Sequence, residues 1–443
     1  MHIKHRSYCR ACGCSALTPV IDLGYQYLQG SFLKDGVQMP PLRKIPTQLV
    51  RCDVEQDENA CGLLQLAHTI PPTILYANYW YRSGTNQTMR DHLAGIVADA
   101  KGVVGESNIE RVLDIGCNDG TLLRNYGEDV DRWGFDPSDI AQEIGDEITV
   151  VGTVFPSKQG EAQLEGKTFD VVTSIAMFYD LEDPVDFASS IKKVLSPEGI
   201  WVFEMSYMPL MLKMNSFDTI CHEHLEYYSL AVLQHIAASA GMRIFKVSLN
   251  EINGGSIRCF ACHDDCLAYD SRENANYMRR LQVKEFEMQL DTDVPYRAFQ
   301  ERIEELREEI EELMVDIRKR GETVHIYGAS TKGNVLLQWY NMDSFKIEYA
   351  ADRNPDKDGA TTLGTNIKIV SEEKSRAMKP DYYLVLPWHF KPEFLQREAE
   401  TIKAGTKMIF PLPEITIVDA DNLEEHMKSA HMTPQYLEQV LGI

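Results

Sequence analysis

The sequence predicts an α/β protein, with a Rossmann-like core between a cysteine-rich N-terminal segment and a second Rossmann-like unit. Three observations carry that expectation. From about residue 71 to 245, helical patterns alternate with short apolar runs such as Arg111-Val112-Leu113-Asp114 and Phe169-Asp170-Val171-Val172-Thr173. This is the pattern of βαβ units around a parallel sheet. A second alternation starts near residue 321, where Thr323-Val324-His325-Ile326-Tyr327 reads as a strand leading into Gly328-Ala329-Ser330-Thr331-Lys332-Gly333 and an apolar helix. Five of the ten cysteines, Cys9, Cys12, Cys14, Cys52 and Cys61, crowd the first 61 residues.

At 443 residues the chain exceeds one average domain. It divides into a zinc-binding segment (1–70), a Rossmann-like core (71–245), a connecting segment (246–320), a C-terminal Rossmann-like unit (321–413) and an accessory tail (414–443). In the connecting segment Ile303, Leu306, Ile310, Leu313 and Ile317 recur at helical spacing. They read as a solvated helix packing one stripe, with coiled-coil dimerisation as the alternative. A homo-oligomer is compatible with the sequence.

The formal charge of −23 and the lack of a basic run argue against a nucleic-acid partner. The start Met1-His2-Ile3-Lys4-His5-Arg6 lacks a secretory apolar run. No stretch approaches the roughly 20 apolar residues that span a bilayer. These features predict a cytoplasmic protein with no membrane partner.

Val112-Leu113-Asp114-Ile115-Gly116-Cys117-Asn118-Asp119-Gly120 is a strand running into a glycine turn, with a helix expected from about Thr121. A dinucleotide loop has the form G-x-G-x-x-G, whose middle glycine admits the pyrophosphate. Here Asn118 holds that place and the spacing is G-x-x-x-G, which suits a ligand without phosphate. S-adenosylmethionine is such a ligand, and its ammonium and sulfonium groups match the Asp114 carboxylate. In Trp133-Gly134-Phe135-Asp136 the next strand ends in an acid, where ribose hydroxyls bind. The core is therefore expected to be a class I S-adenosylmethionine methyltransferase fold. Asp114, Gly116, Cys117, Asn118, Gly120, Asp136, Met177 and Thr85 are the candidate cofactor contacts.

Cys9-x-x-Cys12 is a knuckle spacing, and Cys52 with Cys61 would complete a four-thiolate site. Four protein ligands leave no open position, so such a zinc is structural. The Cys52–Cys61 gap is longer than usual, and Cys14 is an alternative ligand.

Two further clusters carry chemistry. Phe217-Asp218-Thr219-Ile220-Cys221-His222-Glu223-His224-Leu225-Glu226-Tyr227-Tyr228 offers His222 or His224 as a general base and Glu223 to orient it or hold a hydroxyl. It lacks the H-E-x-x-H spacing of zinc hydrolases. Tyr76-Ala77-Asn78-Tyr79-Trp80-Tyr81-Arg82-Ser83-Gly84-Thr85-Asn86 suits stacking on a ring and hydrogen bonding to a sugar, or packing two domains together.

In this order, the segments resemble the sugar-nucleotide C-methyltransferases that build branched deoxysugars. The resemblance runs from Cys9-x-x-Cys12 through Tyr79–Thr85, Asp114–Leu123, Met177–Pro184, His222–Leu225 and Gly254-Gly255-Ser256-Ile257-Arg258. It continues to Gly328–Asn334, Asp352-Arg353-Asn354-Pro355 and Phe410-Pro411-Leu412-Pro413. It implies a nucleoside-diphosphate-linked 4-keto sugar as substrate, deprotonated next to its carbonyl and methylated on carbon. By the same resemblance His224 is the base, Glu223 its neighbour, and Tyr81, with Tyr79 as second choice, lies against the sugar. Cys221 stands where the family commonly has tyrosine, and Asn253 where it commonly has histidine, which leaves the acceptor chemistry open. O- or N-methylation of the same substrate class is the near alternative. An RNA methyltransferase, a non-catalytic binding module and an oxidoreductase using the second Rossmann-like unit are alternatives of other classes.

Overall fold

The computed structural model of the chain describes residues 3–36, 39–75, 82–429 and 432–443. Its centre is a seven-stranded sheet. The strands are β1 (Arg111–Ile115), β2 (Asp131–Phe135), β3 (Thr149–Val151), β4 (Phe169–Ile175), β5 (Leu195–Ser206), β6 (Met242–Asn250) and β7 (Ser256–His263). They lie in the order 3-2-1-4-5-7-6. β1 to β5 are parallel and mostly buried, as sheets covered on both faces are.

β7 runs antiparallel to β5 and β6. The local reason is the β6–β7 hairpin, where Gly254 (φ 84°) and Gly255 (φ 124°) take conformations open to glycine. A dinucleotide fold continues instead to a parallel sixth strand in the order 3-2-1-4-5-6. The sheet thus extends beyond residue 245.

The helix expected from Thr121 is a single 3-10 turn, Leu123–Asn125. Asn125 Nδ2 donates back to the Thr121 carbonyl at 2.9 Å, and Leu122 and Leu123 are buried, so the chain turns early toward β2.

The C-terminal unit is an eight-stranded sheet whose parallel centre comprises Tyr382–Val385, Val324–Tyr327, Tyr349–Asp352 and Lys368–Ser371. Its last strand, Phe32–Leu33, comes from the N-terminal segment and pairs with Thr361–Thr362. The long helix Val294–Lys319 buries Tyr296, Phe299, Ile303, Leu306, Ile310, Met314 and Ile317 in this unit's core. Leu313 is only partly buried. The chain itself thus covers the apolar stripe. The tail also folds back, burying Leu437 and Leu441 of helix Pro434–Leu441 in the methyltransferase core. Among the described residues no helix is long and apolar enough to cross a membrane.

The N-terminal segment forms a four-stranded sheet of Leu17–Gln26, Ile45–Cys52, Leu64–Leu66 and Glu226–Tyr227. Glu226–Tyr227 directly follows His222-Glu223-His224-Leu225. The candidate catalytic loop is therefore tied by backbone hydrogen bonds to the cysteine-rich segment.

Candidate active site

The cofactor loop follows β1. Asp114, at the strand's C-terminal end, is 4% exposed, and its Oδ1 accepts from Thr173 Oγ1 at 2.5 Å. Burial pushes this carboxyl up to about 7, with Thr173 opposing. No cation is hydrogen-bonded to it among the described residues, so a cofactor ammonium fits here, where a buried anion otherwise lacks a counter-charge.

Gly116 (φ 78°) and Asn118 (φ 50°) occupy the left-handed region, which glycine and asparagine enter most readily. Met177 lies over Gly116, since a β-carbon there would meet Met177 Cγ at 3.4 Å. The Asp136 carboxylate accepts the Asn118 N–H at 2.9 Å and the Ser138 N–H at 2.8 Å, leaving further lone pairs for ribose hydroxyls. Asn118 Oδ1 and Asp119 Oδ2 accept the Ser83 and Gly84 N–H groups, fastening the Ser83–Thr85 turn to the loop. Thr85 itself is exposed.

Two predicted contacts have packing roles. Cys117 is buried and its sulfur fills the space beside Gly134, while a β-carbon on Gly120 would press Ile148 and Ile144. These chain groups would hold S-adenosylmethionine through the Asp114 and Asp136 carboxylates and the backbone of the 116–120 turn.

His224, Glu223 and Cys221 fall where the three units meet, and each has its own surroundings. His224 Nδ1 lies 2.7 Å from the Thr219 carbonyl, which can only accept. Nδ1 therefore carries the proton and Nε2 the free lone pair. The Tyr179 ring packs on the imidazole at 4.2 Å between centroids. Burial, assisted by the charge of Lys332, lowers His224 to about 3 and keeps it neutral.

Burial raises Glu223 to about 7. It faces the N-terminal segment so closely that a β-carbon on Gly30 would collide with Glu223 Oε1. Cys221 is fully buried in the apolar core and burial raises its thiol. His222 turns the other way, with Nε2 3.1 Å from Thr47 Oγ1 and its N–H on Gln29 Oε1, and so anchors the loop to the N-terminal sheet. Tyr79 and Tyr81 lie outside the described residues.

The structure also brings in residues that the sequence did not single out as site residues. Lys332 and His389 come from the C-terminal unit; the charge of Lys332 acts on His224, Asp218 and His389. Asp218 accepts from Trp388 Nε1 at 3.1 Å. Lys332 belongs to the Gly328–Gly333 loop, whose sequence suits a diphosphate contact or a purely structural turn. Asp218 stands inside the polar 217–228 cluster, yet nothing in its spacing marks it.

Away from the site, the sulfurs of Cys9, Cys12, Cys52 and Cys61 all lie within 4.8 Å of one another. The pairs Cys9–Cys61 and Cys12–Cys52 are 3.5 Å apart. A tetrahedron with Zn–S bonds near 2.3 Å has S···S edges of about 3.8 Å, so the four fit a closed zinc site. Cys14 instead donates to Asp57 Oδ2 at 3.3 Å and stands outside the group.

Three family models match the chain in sequence: a zinc binding domain over residues 9–76, a methyltransferase domain over 81–247 and a C-methyltransferase C-terminal domain over 251–413. The C-methyltransferase NovU of Streptomyces niveus is 30% identical over 421 residues, covering 94% of this chain and 97% of that protein. The chain belongs to the C-methyltransferase family. This methyltransferase uses S-adenosylmethionine and carries a zinc-binding N-terminal domain. The malonyl-acyl-carrier-protein O-methyltransferase of Porphyromonas gingivalis is 26% identical over 150 residues, 34% of this chain and 58% of its own. Among solved structures, the magnesium protoporphyrin IX methyltransferase of Synechocystis PCC 6803 is 17% identical, with a TM-score of 0.31, over 42% of this chain and 90% of that one.

Proposed function

We propose that the enzyme methylates the carbon next to the carbonyl of a nucleoside-diphosphate-linked 4-keto deoxysugar. The observation that carries this reading is His224. It is buried and neutral, its Nδ1–H is pinned on the Thr219 carbonyl, and Nε2 is left as a free acceptor at the junction of the three units. A neutral imidazole with its lone pair held in place is a general base. Bound S-adenosylmethionine supplies an electrophilic methyl group. The chain orients it through Asp114 and Asp136, while His224 takes the proton from carbon and Glu223 holds a sugar hydroxyl. Surrounding apolar walls, Tyr179 and Leu225 among them, exclude water from the exposed carbanion equivalent.

The test is incubation with labelled cofactor and a panel of nucleoside-diphosphate 4-keto sugars, with mass spectrometry and NMR to locate the label. Label on carbon, together with cofactor-independent deuterium exchange at that carbon, supports the reading. His224→Ala should slow exchange by about 10²–10⁴-fold, the usual worth of a general base. Label on oxygen or nitrogen without exchange overturns it.

A further inference from the structure

The sequence of Gly328–Gly333 suits a loop that grips a diphosphate or one that merely shapes the fold. Helix Thr331–Trp339 packs on the Phe217–Thr219 turn that leads into the catalytic loop. Lys332 is in the first turn of that helix. Its Nζ lies 3.4 Å from the Asn253 carbonyl, the position where the family commonly has histidine. Its charge acts on Asp218, Cys221, His224 and His389.

Asp218 is 1% exposed; Oδ2 takes the Trp388 N–H, and Oδ1 has no hydrogen-bond partner among the described residues. His389 Nδ1 is buried and likewise unpartnered. A cation with one long hydrogen bond keeps further N–H donors to offer. The Asp218 carboxylate, on the turn against which the Lys332 helix packs, disfavours a dianionic diphosphate there, but leaves the ammonium able to meet one oxygen bearing a single developing charge.

The electrophile is also needed on chemical grounds. The neutral base is weak, so the carbon acid must be strengthened from the carbonyl side. Cys221, which stands where the family commonly has a phenol, is a weak donor sealed in the core.

We infer that Lys332 is a catalytic residue that donates to the keto oxygen and stabilises the enolate, with Asp218 as its positioning residue. This inference rests on the keto-sugar reading. In the step, His224 Nε2 takes the proton from the carbon next to the carbonyl, and the C–H electron pair becomes a carbon–carbon double bond. The carbonyl π pair moves onto oxygen, where it faces the Lys332 ammonium. When the new carbon–methyl bond forms, the pair returns from oxygen to rebuild the carbonyl. The electrons of the broken sulfur–methyl bond stay on sulfur, and His224 releases its proton to solvent.

The test uses the full-length enzyme and the 4-keto sugar nucleotide with the best turnover in the panel. Deuterium exchange at the reacting carbon is followed in D₂O, and sugar-nucleotide affinity is measured by calorimetry. Lys332→Met keeps the side-chain stem and should slow exchange by about 10²–10³-fold, the cost of one lost oxyanion donor. Its sugar-nucleotide Kd should rise by less than about tenfold, since a ground-state carbonyl gains little from the cation. Lys332→Arg should restore part of the rate. Asp218→Asn gives an independent arm and should slow exchange while affinity for S-adenosylhomocysteine stays that of the wild type.

Exchange by Lys332→Met at the wild-type rate overturns the inference, as does a rise in Kd that accounts for the whole loss, which would make Lys332 a diphosphate clamp. Absence of exchange by the wild type with every keto sugar overturns the functional reading instead, so the two failures are distinguishable.

Discussion

Alanine at Gly134 should weaken cofactor binding through packing, with both proposed cofactor-holding carboxylates unchanged. Gly134 lies inside β2, paired with Asp114 of β1 on one side and Val150 of β3 on the other, so its backbone has little room to move. An added β-carbon would sit 2.6 Å from Cys117 Sγ and 2.9 Å from Cys117 Cβ. The element able to yield is the 116–120 turn, which carries proposed cofactor contacts. Overpacking of this kind costs about 1–3 kcal/mol. If the turn absorbs all of it, the Kd for S-adenosylhomocysteine rises about 5- to 150-fold. Isothermal titration calorimetry measures this directly, with far-UV circular dichroism confirming the fold. Cys117→Ala removes the sulfur contact and leaves the one at 2.9 Å. The double variant should therefore recover part of the loss, with a coupling energy of about 0.5 kcal/mol or more. A Kd for Gly134→Ala within twofold of wild type, or a double variant no better than the single, would refute the packing argument.

Cys52→Ser should take zinc content from one per chain toward zero by elemental analysis. Structural zinc contributes about 10–16 kcal/mol in small domains, so the N-terminal sheet and the 222–228 loop paired to it should loosen and methyl transfer should fail; full metal content would count against this. Glu223, raised to about 7 by burial, is protonated below that pH and ionised above it, and the ionised form is the better acceptor for a sugar hydroxyl. With S-adenosylmethionine saturating, so that its ammonium holds Asp114 ionised, kcat/KM should climb through about pH 7, and Glu223→Gln should remove that inflection. Ile310→Ala, in the fully buried stripe of the long helix, should cost about 2–5 kcal/mol of stability in the C-terminal unit, read as a lowered melting transition.

Much of this protein was legible before any coordinates. Strand β1 with its G-x-x-x-G turn, and the acid ending β2, depend on residues adjacent in the chain, and local chemistry dictates them. Asn118 and the glycines carry the positive φ angles that the loop needs. The cysteine spacing already named the four sulfurs, because a tetrahedral metal demands short-range geometry, although separating Cys14 from them required seeing it on Asp57. The expected helix after the loop proved too short because Asn125 returns its hydrogen bonds to the turn, a competition that periodicity does not register.

What the tertiary structure alone decided is the surroundings of each of the two histidines. His222 and His224 are alike in sequence, one residue apart in a polar cluster. Only the fold hydrogen-bonds the first to Thr47 and gives the second a carbonyl on Nδ1 and an open Nε2. Lys332 stands more than a hundred residues from His224 in sequence. No local pattern records that helix Thr331–Trp339 packs on the Phe217–Thr219 turn and brings the charge of Lys332 to bear on His224. Strand, turn and metal ligands follow from neighbours along the chain; the proposed acid–base groups come from three units, and burial, which tunes each group, exists only once they have packed.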